Sequence, residues 1–483
     1  GLGDVYKRQV YLNSYFYAEM AVAKRLLELS QEYMCTNMEG VANEIARMEK
    51  KTGVILAEEQ RAAVLEAMSS GVLIITGGPG TGKTTTINTI LQLLKDEGCE
   101  VVLAAPTGRA AKRMSEATGV EAQTIHRLLE STFMGEDVRR QTFDRNEENP
   151  IEADVIIIDE TSMVDIMLMH ALLRAVAPGT RLIFVGDVDQ LPSVGPGNVL
   201  KDMIRSERLK VVRLEHIFRQ AQESAIIMNA HRINKGDDPV LNENGTDFFF
   251  VKRAFGEDVV RTIRDLVLTR LPKFTGCDGL RDIQVLTPMR KGVLGVQNLN
   301  TVLQAALNPP SEERAEKEFR QIVFREGDKV MQIKNNYNIA WRMYNAMGKR
   351  CDEGVGIFNG DAGMIREIDD ANETMQVVFD DGKVVDYDYS QLEELELAYA
   401  ITIHKSQGSE YPVVIIPVHS GPPMLMTRNL LYTAVTRAKT LVVLVGIQET
   451  ISAMVSNDRE VGRYTGLAQR IRNLYDFMAE AEE

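Results

Sequence analysis

The chain has 483 residues, with 55 Lys and Arg against 69 Asp and Glu for a net charge of −14, a length that accommodates two to four domains. That acidic balance provides no bulk attraction for nucleic acid, so any polyanion site must be a local channel. The four cysteines, Cys35, Cys99, Cys277 and Cys351, are too scattered for a metal-ligand pattern or a disulfide framework, which fits a reducing cytoplasm, and no apolar run is long enough to cross a bilayer.

In chain order, the opening Gly1-Leu2-Gly3-Asp4-Val5-Tyr6-Lys7-Arg8-Gln9 has neither an initiating Met nor the basic-then-apolar pattern of an export signal, and it resembles translated vector sequence. The natural protein is therefore expected to begin further upstream. Residues 1–50 read as a residual helical region or linker, in which Leu12, Phe16, Met20, Ala23 and Leu27 recur at steps of three or four and would line one face.

Residues 51–205 repeat strand, loop and helix. Strands are expected at 72–76, 101–105, 155–158 and 182–185, each continuously apolar as in a parallel sheet covered on both faces. After the first, Gly77-Gly78-Pro79-Gly80-Thr81-Gly82-Lys83-Thr84 is a complete phosphate-binding loop, and Thr85 continues into a helix. Its glycines let backbone N–H groups converge on phosphates, Lys83 reaches the β and γ phosphates, and Thr84 coordinates magnesium. The strand at 155–158 ends in Asp159-Glu160, two carboxylates that core packing does not require. Asp159 is assigned to magnesium through water, and Glu160 to polarising the attacking water.

Other polar groups follow the remaining strands, where an open α/β sheet carries its ligands. They are Pro106-Thr107-Gly108-Arg109 with Lys112 and Arg113, then Thr124-Ile125-His126-Arg127, then the loop 186–195 with Gln190. The polar stretch 142–149 is expected to form a small protruding hairpin, within a hairpin region at 131–150. Arg109, Lys112 and Arg113 read as channel residues in preference to a solvated helix flank.

A second α/β unit is expected over 206–320, with strands at 211–214 and 283–287, and over 396–483, with strands at 411–417 and 441–445. Between these parts, 321–395 alternates in short segments such as 329–333, 362–368 and 375–379, joined by Asp-Asp, Asn-Gly and Asp-Gly turns. That is the pattern of an inserted β-barrel. No internal repeat is evident.

With these blocks placed, most of residues 51–471 resembles the RecD-like branch of superfamily 1 DNA helicases, most closely the bacterial stand-alone type. The resemblance implies two RecA-like P-loop motor domains, a pin hairpin in the first and an SH3-like β-barrel inserted in the second. It implies ATP and Mg2+, 5′-to-3′ movement on single-stranded DNA, and opening of duplex at single-strand/duplex junctions in DNA repair or recombination. ATP is expected between the motor domains. By motif position, Gln60 recognises adenine, Gln190 senses the γ phosphate, and Arg219 and Arg437 reach the phosphates from the second domain. Gly408 and Glu410 belong to the block at 402–410 that links nucleotide state to DNA.

The DNA-binding candidates are Pro106, Thr107, Arg109, Thr124, His126 and Arg127 in the first domain. In the second they are Pro288, Met289, Arg290, Lys291, Gly292, Thr402, His404 and Lys405, with Asn335, Asn336 and Tyr337 as weaker barrel candidates. His404 reads first as a core or interdomain hydrogen-bonder. Most of the region expected upstream of the motor is missing, DNA-repair proteins are the expected partners, and neither a membrane partner nor intrinsic strand cleavage is expected. The alternatives are the RecD subunit of a helicase–nuclease complex, an RNA-directed superfamily 1 helicase, and an ATP-binding repair scaffold without productive unwinding.

Overall fold

The structure, a computed structural model, describes residues 2–4, 9–33, 38–133, 141–243, 246–459 and 462–482. Cys35 and the centre of the hairpin region expected at 131–150 lie outside the described residues. The chain divides into two compact units, Gly1–Glu223 with Glu460–Glu483, and Ser224–Arg459.

The first unit begins with helix α1 (Asn13–Glu32). Its sheet contains β1 (Val72–Gly77), β2 (Val101–Ala105), β3 (Ala122–Thr124), β4 (Val155–Ile158), β5 (Arg181–Gly186) and β6 (Lys210–Leu214). All are parallel, in the order β6-β1-β5-β4-β2-β3. Side chains alternate across a strand, so Val72 and Ile74 enter one core layer while Leu73 and Ile75 enter the other. Helix α2 (Lys83–Asp96) covers the second layer; α4 (Ile166–Arg174) and α5 (Val199–Ser206) cover the first, and α3 (Gly108–Thr118) follows β2.

Four expectations change here. Residues 211–214 do not start the second unit: β6 pairs with β1, in register from Lys210↔Leu73 to Leu214↔Gly77. The last helix, Leu467–Glu482, also belongs to the first unit, where Leu467 and Ile471 join the same core as α1. Helix α1 is part of that core and no mere linker, and the face it buries is Ala18, Val22, Ala23, Leu26, Leu27 and Leu29, whereas Leu12 is 66% exposed. Finally, the hairpin pairs Ser131–Phe133 with Gln141–Phe143, while 144–149 turns back on the unit, held by Arg145 on Glu130 (2.9 Å) and by both branches of Arg174 on Glu147 (2.7 Å each).

A buried polar knot closes the first unit. Glu19 on α1, 3% exposed, accepts from the Gly466 N–H, Arg470 Nε (3.1 Å) and Thr465 Oγ1 (2.9 Å), while Thr465 Oγ1 also lies 2.7 Å from Asp202 Oδ2. A hydroxyl carries one proton and cannot donate to both carboxylates, so the contact is satisfied when Asp202 is protonated. Burial pushes the Asp202 carboxyl up to about 6, with the Thr465 hydrogen bond opposing and Glu19 adding to the rise. A raised carboxyl favours the fold below its ordinary pKa, and that contribution is lost as pH rises through about 6. Asp202→Asn is therefore expected to raise the stability of the first unit by about 1–3 kcal/mol at pH 8 and to leave it little changed near pH 4. Thermal unfolding at the two pH values checks this; equal shifts at both would contradict it.

The second unit has its own parallel sheet, of β7 (Phe248–Lys252), β8 (Ile283–Thr287), β9 (Ala400–Thr402), β10 (Tyr411–Val418) and β11 (Ala438–Gly446), in the order β7-β11-β10-β8-β9. Between β8 and β9 lie helix α6 (Val296–Leu307) and a seven-stranded antiparallel sheet. From one edge its strands are Arg350–Ile357, Asn336–Tyr344, Val384–Asp388, Thr374–Phe379, Ala362–Asp369, Lys329–Gln332 and Leu395–Leu397. This is the inserted SH3-like barrel. Its interior, including Val330, Met375, Val377, Val385 and Tyr387, is continuous with the core under β8 and β10. Asp328, fully buried, accepts from Gln304 Nε2 (2.6 Å), Asn308 Nδ2 (2.8 Å), Tyr399 Oη (2.8 Å) and the Arg325 N–H (2.7 Å), tying the barrel to the end of α6.

Candidate functional site

The phosphate loop spans the gap between β1 and α2. Gly80 (φ +75°) and Gly82 (φ +77°) occupy the left-handed region that a side chain disfavours, and a Cβ at Gly77 would lie 2.8 Å from the Leu214 carbonyl oxygen of neighbouring β6. Lys83 Nζ donates to the carbonyls of Gly77 (2.6 Å) and Gly78 (3.0 Å), and Thr81 Oγ1 donates to Gly78 (2.9 Å). Thr84 and Thr85 are exposed on the first turn of α2, where unpaired N–H groups and the helix dipole favour an anion. Gln60 is 1% exposed and no surface residue: Nε2 donates to the Gly82 carbonyl (3.1 Å) and Oε1 accepts from the Ala57 N–H (3.1 Å).

Asp159 and Glu160 follow β4. Burial, with the charge of Glu160 second, pushes the Asp159 carboxyl up, and the cations Arg113 and Lys83 oppose that rise. Lys83 and Asp159 therefore share one electrostatic neighbourhood. Glu160 adopts φ +51°, unusual for a side chain with a Cβ, and its N–H donates to Asp159 Oδ1 (2.8 Å). Arg113 of α3 lies against these carboxylates and not in a separate channel, with Nη2 2.6 Å from Glu160 Oε1 and 3.9 Å from Asp159 Oδ2. Sequence spacing did not reveal this pairing, because it depends on how α3 packs beside β4.

The loop after β5 returns to the same sheet end. The Val188 N–H donates to Thr76 Oγ1 (3.3 Å), and Gln190, 8% exposed, donates to Asp187 Oδ2 (3.3 Å). Arg463, which the sequence reading did not single out, donates to the Gly197 carbonyl (2.6 Å) and to Ser193 on this loop. Arg219 belongs to the first unit and not the second. Because β6 runs parallel to β1, the chain leaving β6 passes over the phosphate loop: the Phe218 N–H donates to the Gly80 carbonyl (3.4 Å), and exposed Arg219 follows directly. Arg437 lies in the second unit, 2% exposed, donating to the carbonyls of Thr433 and Ser409 (3.2 Å each). Nearby in sequence, Gly408 is buried at φ +73° and Glu410 is exposed, 3.4 Å from Lys439.

The nucleic-acid candidates form two matching sets, each at one edge of its sheet. In the first unit, Ala105↔Thr124 pairing of β2 with edge strand β3 brings Pro106, Thr107 and Arg109 beside Thr124, His126 and Arg127. In the second, Thr287↔Thr402 pairing of β8 with edge strand β9 brings Pro288, Met289, Arg290, Lys291 and Gly292 beside Thr402, His404 and Lys405. The repeat missed in the sequence is Thr124-Ile125-His126-Arg127 against Thr402-Ile403-His404-Lys405. In both, the threonine hydroxyl accepts from the N–H three residues on, at Arg127 (3.1 Å) and Lys405 (3.4 Å), capping a short turn. Burial holds both the His126 and the His404 imidazole below their usual pKa, although His404 keeps an exposed edge. In the barrel, Asn336 donates to Glu394 (2.9 Å) and Asn335 to Tyr337 Oη (3.1 Å).

The donors fit a magnesium ion of the phosphate-bound kind. Among the described residues no group of three or more His, Cys, Asp or Glu could hold a metal by itself. Magnesium beside a nucleotide takes most of its ligands from phosphates and water, needing only one or two protein oxygens; Thr84, and Asp159 through water, are the expected ones.

Comparison with known proteins finds three families in order along the chain. A family described as an AAA domain matches residues 55–247, the ATP-dependent RecD-like DNA helicase SH3 domain matches 299–379, and the UvrD-like helicase C-terminal domain matches 397–445. The ATP-dependent RecD2 DNA helicase of Deinococcus radiodurans is 35% identical over 453 residues, 93% of this chain and 57% of that protein. The RecBCD enzyme subunit RecD of Mycolicibacterium smegmatis is 34% identical over 454 residues, 86% of this chain and 75% of that protein. A Bacteroides Pif1 helicase solved with ADP-AlF3 and single-stranded DNA is 19% identical, with 89% of this chain and 98% of that chain covered at a TM-score of 0.47. Thus the chain spans little more than half of the first relative and three quarters of the second. At that identity and coverage, with two RecA-like P-loop domains and the SH3-like insertion in place, it belongs to the RecD-like family of superfamily 1 DNA helicases.

Proposed function

We propose that this chain is an ATP-driven motor that moves 5′-to-3′ on single-stranded DNA and opens duplex at single-strand/duplex junctions. The observation that carries the ATP-hydrolysing part is the convergence of Lys83, Asp159 and Glu160 at one sheet end, beside the Gln190 loop and the Arg219 segment. Gln60 is placed to read the base, Lys83 to hold the β and γ phosphates, and Glu160 to orient the attacking water. Arg219 and Arg437 are proposed to stabilise the charge that builds as the phosphoryl group transfers. Thr84 and, through water, Asp159 would hold magnesium, which would supply further neutralisation of the phosphates.

The paired edge sets support a grip on the DNA backbone. Hydroxyls, backbone amides and a few cations suit a strand held without reading its sequence. Opposite tight and loose states of the two sets during an ATP cycle would move the strand, and the region near 131–150, where Ser131–Phe133 pairs with Gln141–Phe143, is the proposed pin. Free cysteines at Cys99, Cys277 and Cys351 accord with a reducing cytoplasm, and no helix among the described residues is long and apolar enough to cross a membrane.

A second reading, the motor subunit of a helicase–nuclease complex, is favoured by the relatives. Mycobacterial proteins named RecBCD enzyme subunit RecD are matched over 73–75% of their length, against 57% for the protein named RecD2. Strand displacement on duplexes with a 5′ or a 3′ single-stranded tail, with and without ATP, tests both. The motor reading expects ATP-dependent opening of the 5′-tailed duplex alone; equal opening without ATP would reject it. Opening that appears only after nuclease partners are added would select the subunit reading.

A further inference from the structure

Arg290 lies three residues beyond β8 and Lys405 three beyond β9, and the Thr287↔Thr402 register places the two loops together. A single carboxylate serves both. Glu396 Oε1 pairs with Arg290 Nη2, and Glu396 Oε2 lies 3.0 Å from Lys405 Nζ. Glu396 is in the strand Leu395–Leu397, the barrel strand next to Lys329–Gln332, where it stands opposite Met331. Its side chain is 22% exposed, that of Lys405 24% and that of Arg290 58%, so the cluster opens to solvent on the arginine side.

Two adjacent cations repel, and a partly buried ammonium needs a counter-charge. Burial pushes the Lys405 ammonium pKa down and Arg290 adds to that, while Glu396 opposes both. One carboxylate bridging two cations carries, like the two free oxygens of a phosphodiester, a single negative charge shared over two acceptors.

Resting on the reading that Arg290 and Lys405 belong to the DNA grip, we infer that Glu396 is a built-in phosphate substitute, which occupies both cations in the free protein and gives them up to a DNA phosphate. Each binding event therefore exchanges one anion for another. The carboxylate weakens the grip and reduces the number of salt ions released on binding, which suits a contact that must be made and broken repeatedly. It also links an edge strand of the barrel to strand release.

The test is binding of a short fluorescent oligothymidylate to the full chain, followed by anisotropy over a range of KCl concentrations. Glu396→Gln, which keeps size and one acceptor oxygen but removes the charge, is expected to bind about three- to tenfold more tightly at low salt. The slope of log K against log salt should steepen by about 0.7 for each cation newly available to phosphate. Glu396→Ala should act in the same direction, so the result does not hang on one variant. If both glutamate variants bind no better than the native chain while Arg290→Ala and Lys405→Ala weaken binding, Glu396 merely aims the cations and the inference is overturned with the grip intact. If Arg290→Ala and Lys405→Ala bind like the native chain, the grip itself is misplaced and the inference falls with it.

Discussion

Glu160→Gln is expected to lower DNA-stimulated ATP turnover by roughly two to three orders of magnitude while ATP binding persists. The carboxylate follows β4 in an unusual left-handed backbone, with its N–H bonded to Asp159 and Oε1 2.6 Å from Arg113. Glutamine preserves shape and can still accept from Arg113. What it loses is the negative charge proposed to orient water and receive its proton. Phosphate release in the presence of saturating oligothymidylate measures the loss, and binding of a fluorescent ATP analogue is the control. Turnover within a few-fold of the native rate would remove Glu160 from the hydrolytic step and move attention to Gln190, a polar side chain on the loop after β5.

What the sequence made legible follows from how tightly chemistry constrains composition. A phosphate loop must have its glycines, lysine and hydroxyl in fixed order, and continuously apolar strands mark a doubly covered sheet, so the first site and the core strands could be read directly. The barrel was legible for a similar reason: alternating segments joined by Asn359-Gly360 and Asp381-Gly382 turns leave few other structures. Membership of β6 was not, because its five residues carry an exposed Lys210 and Arg213 and contain nothing that says which sheet they join. That one placement moves Arg219 from one unit to the other. Pairings between distant segments, Arg113 with Glu160 and Glu396 with Arg290 and Lys405, were equally hidden. Each requires knowing which helix or strand lies alongside which loop. The Thr-Ile-His repeat was visible in principle, but a match of so few residues acquires meaning only once both copies are found ending an edge strand.

Lys83→Met is expected to abolish ATP turnover by at least about a hundredfold and, unlike Glu160→Gln, to remove nucleotide binding with it. The ammonium donates to the carbonyls of Gly77 and Gly78, and it is the group proposed to meet the phosphates. Methionine keeps the length of the side chain but supplies neither the donor nor the charge. Thermal unfolding separates the two variants. A nucleotide at a hundredfold excess over its Kd stabilises the folded protein by about 2.7 kcal/mol; that shift should survive in Glu160→Gln and vanish in Lys83→Met. An ATP-binding scaffold would keep its nucleotide-dependent behaviour in Glu160→Gln and lose it only in Lys83→Met, whereas a motor loses duplex opening in both. Strand displacement by Glu160→Gln at the native rate would therefore sink the motor reading even if its ATP binding were intact.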